Sequence, residues 1–292
     1  ASDVYKRQLA EGRRLSQKLR VPCTYQGGKQ RLAPQITEIL LRSTSSPDFR
    51  FYDLCCGSGA ISIELINRGV PPERITMLDQ SSWGSFWNAI GTGTFEMSVF
   101  EEHLAQVPTD KSLVKTHMEK LAKQDPEANE AEIYPILQSS SFGGKQLWWD
   151  GNKWQNAFFR DYWQPTPTSV RRSPANPMQP RPEELHRRIE LIHRRMSGVK
   201  AIRSDISELL NSSIPDNAVI YIDPPYLGTT NYGFDFEISA FVAKLKTQTQ
   251  AAIFVSEGSA LGPHAVEIFP AGANGGITGN RSSKHREWLT RF

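Results

Sequence analysis

The chain has 292 residues, 22% of them charged and 10% aromatic, with a formal net charge of +3. That length buries a sizeable core and suits one large domain, or one domain with a substantial insertion, and the mild positive charge permits an acidic partner such as nucleic acid without demanding one. The composition is ordinary for a soluble globular protein, and the absence of any apolar run near the ~18 residues of a spanning helix excludes that element.

Residues 1 to 80 open with a polar stretch and a Gly-Gly-Lys turn within "YQGGKQRLAPQI", residues 25–36, and continue into a helical pattern, "LAPQITEILL". In "FYDLCCGSGAISIELINRGV", residues 51–70, a short strand is predicted to end near Asp53. A glycine turn, Gly57-Ser58-Gly59, follows, and an amphipathic helix closes at Gly69. The next strand, "ITMLD", ends in Asp79.

Residues 81 to 200 differ in character. They are Trp-rich, polar and punctuated by proline, from "SSSFGGKQLWWDGNKWQNAFFRDYW" to "QPTPTSVRRSPANPMQPRP". Residues 201 to 292 return to short apolar strands, "AVIYID" and "AAIFVS", before a glycine-rich turn and a final "REWLTRF". Strands separated by helical patterns predict an α/β fold with a parallel sheet and crossover helices. The expected organisation is therefore a first part over 1–80, an insertion over 81–200 and a second part over 201–292. Cys23, Cys55 and Cys56 cannot all pair, and sequence neighbours rarely form an unstrained bridge, so a reducing compartment is expected. No signal peptide is visible, although the first residue is not Met.

Two segments carry chemistry. Gly57 and Gly59 let the backbone approach a ligand at a helix N-terminus, and Asp79 lies 79 − 53 = 26 residues beyond Asp53. That spacing is near the ~20 expected for an acid reaching ribose hydroxyls in a nucleotide-binding βαβ unit. The third glycine of a dinucleotide fingerprint is missing, which weakens a hydride-transfer reading. The plainer alternative is a helix cap and a solvent-exposed acid. In "VIYIDPPYLGTTNYG", residues 219–233, a buried strand ends in Asp223-Pro224-Pro225-Tyr226. The prolines cannot continue a ladder, so the strand stops there. A carboxylate, a carbonyl and a flat aromatic ring on rigid backbone suit a planar substrate with an exocyclic amine. The alternative is a proline-terminated strand with a buried tyrosine.

The segment "DPPY" together with "DLCCGSG" resembles the S-adenosylmethionine-dependent amino-methyltransferases that act on DNA bases. With "YQGGKQRLAPQI" ahead of them, the order is similar to that of the DNA adenine methylases of phages and enteric bacteria. The resemblance covers roughly residues 21–82 and 199–292. It implies a Rossmann-like methyltransferase sheet with helices on both faces and an inserted target-recognition region. It also implies S-adenosyl-L-methionine as cofactor, with Tyr25, where the family usually has Trp, beside Gly28 and Lys29 at its methionine end. Asp53 would be among the cofactor-binding residues, the Gly57 and Gly59 turn would pass beneath the cofactor, Asp79 would hold the ribose hydroxyls, and Asp205 would lie near the adenine. Asp223, Pro224, Pro225 and Tyr226 would bind the target amine, with Asp223 also beside the cofactor. The middle zone does not align with the family's usual recognition domain.

On that resemblance the expected activity is site-specific methylation of the N6 amine of adenine in double-stranded DNA, after the base leaves the stack. A sulfonium already activates its methyl group, so no metal is expected, and the histidines and cysteines show no ligand spacing. The expected protein is a monomer in the cytoplasm of a bacterium or of a phage's host, within a modification system. Adenine in RNA, the N4 amine of cytosine in DNA and, less readily, a protein glutamine amide remain open. In the middle zone, "WWDGNKWQNAFFRDYW" and "HRRIELIHRR" either contact bases and phosphates or form a small core with a solvated basic face.

Overall fold

The apolar runs on either side of the middle zone join one seven-stranded sheet. In the computed structural model, residues 17–225, 237–269 and 286–292 are described. The sheet strands are β1 (Phe51–Leu54), β2 (Ile75–Asp79), β3 (Lys200–Arg203), β4 (Val219–Ile222), β5 (Ala252–Glu257), β6 (Ala265–Phe269) and β7 (Glu287–Arg291). Their spatial order is β3-β2-β1-β4-β5-β7-β6. The first five pair in parallel, whereas β7 runs antiparallel to both β5 and β6. Between β1 and β4 the chain changes its direction of progress across the sheet. A crevice outside the carboxyl ends of the strands is expected at that switch.

Alternation along the strands splits the core into two layers, because successive side chains point to opposite faces. Phe51, Ile75, Met77, Val219, Tyr221 and Phe254 face the larger layer. Leu54, Leu78, Ile220, Ile222, Ile253 and Val255 face the smaller one. Strands buried on both faces need continuous apolar runs, which is what "VIYI" supplies.

On the larger side lie α1 (Ala33–Arg42), α2 (Ala60–Asn67) and α3 (Ser82–Thr92). Helix α3 packs directly on β2 and β3, although its sequence falls in the stretch expected to be an insertion. The approach is so close that a Cβ on Gly84 would lie 2.1 Å from the Asp79 carbonyl oxygen. Only glycine is compatible with that contact.

The remaining middle-zone helices are α4 (Met97–Ala105), α5 (Val114–Leu121), α6 (Glu130–Ser140) and α7 (Pro182–Arg195). Helix α6 packs on α3, α4 and α5. A short hairpin pairs Trp148–Trp149 with Trp154–Gln155. Trp83 forms an edge contact with Tyr134 at 5.0 Å, and Tyr134 stacks on the buried Trp154 at 6.2 Å. Part of the Trp-rich stretch is thus core, while Phe158 and Trp163 stay exposed. On the opposite face of the sheet, α8 (Ile238–Lys246) packs with the 3-10 turn Ile206–Asn211. Among the described residues, no helix is long and apolar enough to cross a membrane.

Candidate active site

A cavity of about 340 Å³ opens at the carboxyl ends of β1, β2, β3 and β4, where the switch in strand order predicts one. Its floor is the turn after β1. Cys55 and Gly57 have φ of 57° and 48°, and Gly59, which begins α2, has φ of 69°. Each glycine is also fixed by a neighbour. A Cβ on Gly57 would lie 2.9 Å from the Tyr25 ring, and one on Gly59 would lie 2.5 Å from the Trp87 ring. Trp87 Nε1 donates to the Gly57 carbonyl at 2.8 Å and holds the turn from below.

Acids from four strand ends face this space. Asp53 is 1% exposed, and its Oδ2 accepts from the Ser62 amide at 3.2 Å and the Ser62 hydroxyl at 2.5 Å. Burial pushes its carboxyl up to about 7, against the pull of those hydrogen bonds. Asp79 accepts the Gly57 amide on Oδ2 at 2.8 Å, and the Ser81 amide and hydroxyl on Oδ1 at 2.9 and 2.5 Å. Burial raises its pKa while the bonds from Ser81 and Gly57 oppose the rise. Each carboxylate oxygen has two acceptor sites, so Asp79 keeps capacity for a ligand donor.

Asp223 follows β4. Its Oδ1 lies 2.8 Å from Lys29 Nζ, and the ammonium also donates to the Gly27 carbonyl at 3.1 Å. Burial pushes the Asp223 carboxyl up to about 6; Lys29 pulls it back, and Glu287 and Glu257 push it further. Pro224 and Pro225 continue the cavity wall from Asp223. Asp205 caps the 3-10 turn by accepting the Ser207 amide at 2.8 Å, and it lines the same space.

Of the residues expected at a cofactor site, Tyr25, Gly28, Lys29, Asp53, Gly57, Asp79, Asp205 and Asp223 all line one cavity. Gly59 does not; its α-carbon backs onto Trp87 instead. Tyr226 lies outside the described residues. Other residues contribute as well. Gln26, Gln146 and Ser204 line the cavity, and Glu287 reaches Lys29 at 3.6 Å. The Ser204 hydroxyl oxygen is buried with no protein partner, so it presents an unanswered polar atom at the edge of the cavity.

Several arginines in and beside the middle zone hold the frame. Arg203 joins β3 to Glu130 of α6 at 2.7 Å and to the Trp149 carbonyl of the hairpin at 2.5 Å. Arg188 donates to Glu184 and to the Val21 carbonyl, and Arg195 to the Gln17 carbonyl. Among the described residues, no group of three or more His, Cys, Asp or Glu is arranged to hold a metal ion. No family model matches this chain, and no curated protein matches it.

Proposed function

We propose that this chain transfers a methyl group from S-adenosyl-L-methionine to the exocyclic N6 amine of adenine in double-stranded DNA, on a Rossmann-like methyltransferase sheet. The observation that carries the reading is a convergence. The Gly-Gly-Lys segment, the glycine turn, Asp79, Asp205 and Asp223-Pro224-Pro225 come from distant parts of the sequence and meet around one cavity. The first five strands also follow the 3-2-1-4-5 order of doubly wound nucleotide-binding sheets, with an antiparallel strand inserted near the end.

The residues present fit the cofactor on chemical grounds. Four carboxylates and one lysine line the cavity, which favours a ligand bearing positive charge and hydroxyl donors. Asp79 and Asp205 would accept from ribose hydroxyls and the adenine end, with the unpartnered Ser204 hydroxyl beside them. Tyr25, Gly28 and Lys29 would bound the methionine end. When bound, the cofactor supplies a methyl group already activated on a sulfonium.

The chain's own part is positioning and charge. The amine nitrogen of adenine is a poor nucleophile because its lone pair is delocalised into the ring. Asp223 and the Pro224 carbonyl would accept hydrogen bonds from its two N–H groups and favour a more tetrahedral nitrogen, with the one proton released on transfer passing to solvent. Lys29 opposes burial and keeps Asp223 an acceptor at neutral pH. In-line positioning can supply roughly 7–11 kcal/mol in favourable cases.

Incubation with methyl-labelled S-adenosylmethionine and a panel of DNA, RNA and protein acceptors tests the reading. Digestion of the product to nucleosides is expected to give N6-methyladenine from DNA. Label in cytosine, in RNA or in a glutamine side chain would replace the proposed acceptor, and no label in any acceptor would remove the activity.

A further inference from the structure

Resting on the methyl-transfer reading of this cavity, we propose that Glu287 is a positioning residue for Asp223, acting through a lysine that the two acids share. Lys29 Nζ lies 2.8 Å from Asp223 Oδ1 and 3.6 Å from Glu287 Oε1. The three side chains are only 7, 18 and 13% exposed, in that order, so water screens the triad weakly. Lys29 comes from the loop before α1, Asp223 from the end of β4 and Glu287 from the start of β7. The antiparallel strand therefore sends a charge across β5 to the reactive edge.

Two carboxylates lie around one ammonium. The sharing has two effects. Glu287 anchors the ammonium, and it also divides the field that Asp223 would otherwise receive alone, so the Asp223 carboxylate stays more basic than in a simple ion pair. Other groups face Asp223 as well. Glu257 at the end of β5 and Asp53 at the end of β1 are acids that raise it or are raised by it. The Tyr221 hydroxyl, bonded to Ser256 at 2.8 Å, and the Cys55 thiol are both pushed upward and remain neutral. Glu287 shares the Asp223 partner, Lys29.

The test is a carbon-13 NMR titration of the full chain labelled at the aspartate carboxyl carbon, with the Asp223 signal identified by its loss in Asp223→Asn. In Glu287→Gln the Asp223 midpoint is expected to fall by on the order of one pH unit, because a neighbouring negative charge that raises it is then gone. Glu287→Asp keeps the charge and is expected to stay near the wild-type midpoint. Lys29→Met, which keeps the question open if Glu287→Gln does not fold, is expected to raise the midpoint. An Asp223 midpoint unmoved in folded Glu287→Gln, or unmoved in Lys29→Met, overturns the assignment. The acid limb of methyl transfer should move with the NMR midpoint. A midpoint that shifts as expected in a chain that methylates nothing keeps the charge relation and removes the methyl-transfer reading. Transfer with an unmoved midpoint does the reverse.

Discussion

Helix α7 and the carboxyl edge of the sheet are both rich in charge, and they handle it in opposite ways. In α7 the acids sit one turn from arginines on a partly solvated surface, and hydrogen bonds from Arg187 and Arg188 hold Glu184 down at about 2. At the sheet edge, burial leads and the acids move up: Asp53 to about 7, Asp223 to about 6, and Asp79 in the same direction. An acid pushed down by a partner is already satisfied by the frame. An acid pushed up is held where its charge is disfavoured until something positive or proton-bearing arrives, and this is the pattern expected of a reactive site. Arginine density alone would have pointed to α7, whereas three upward-shifted acids meet at the cavity.

Removing the aromatic layer beneath the cavity is expected to have the largest effect. Trp83 is fully buried and forms edge contacts with Tyr25, Phe86 and Tyr134. Trp83→Ala is expected to cost ~3–5 kcal/mol of stability, read as a large fall in melting temperature. A small fall would mean that the middle zone and the sheet do not share a core. Next comes Asp223→Ala, which should lower methyl transfer by about 100- to 1,000-fold while cofactor binding stays measurable. Full activity would make Asp223 one more framework acid.

Much of the site was legible because strand ends in such a sheet converge. Asp53, Asp79 and Asp223 could be read as strand-end acids from apolar runs that stop at turns. Other features were hidden for physical reasons. The sequence of α3, "SWGSFWNAIGT", has the aromatics of the insertion, and its packing on β2 and β3, with Gly84 against the Asp79 carbonyl, shows that it covers the sheet. Glu287 is a single acid in a short strand, and neither spacing nor period marks it. The arginines of α7 resembled a nucleic-acid face in the sequence because the carbonyls that Arg188 and Arg195 reach lie 167 and 178 residues away.

Asp79 sharpens the comparison, since it serves both frame and cavity. Asp79→Ala is expected to weaken S-adenosylmethionine by ~1.5–3 kcal/mol in calorimetry, the worth of hydrogen bonds to a charged group. It should also loosen the turn, because Gly57 and Ser81 lose their acceptor. Unchanged affinity would leave Asp79 with the frame alone.

Asp53 gives a smaller effect with a definite sign. Its folded pKa lies above the ordinary value of 3.8, so the folded state binds the extra proton between pH 3.8 and about 7. Its contribution to stability is therefore fully present below that window and is lost as pH rises through it. Asp53→Asn cannot titrate. The difference in melting temperature between wild type and variant should change across this window and flatten above about pH 7. A difference that is level with pH would mean that Asp53 is not held protonated by burial.

The smallest effect belongs to α7 and completes the contrast. Arg194 pairs with Glu190 at 3.0 Å one turn back, and its side chain is 40% exposed. Exposed pairs at this spacing are worth ~0.3–0.5 kcal/mol, because solvent screens them and two long side chains lose freedom. Arg194 also lies in the last helical turn, where a cation gains a little from the helix dipole. Arg194→Ala is thus expected to lower stability by less than ~1 kcal/mol, with high salt reducing the difference further. Methyl transfer per folded molecule should stay within about twofold if α7 is framework only, while a loss of DNA affinity with unchanged melting would show that this basic face meets phosphate. The two measurements separate a charge that holds the protein together from one that waits for a ligand.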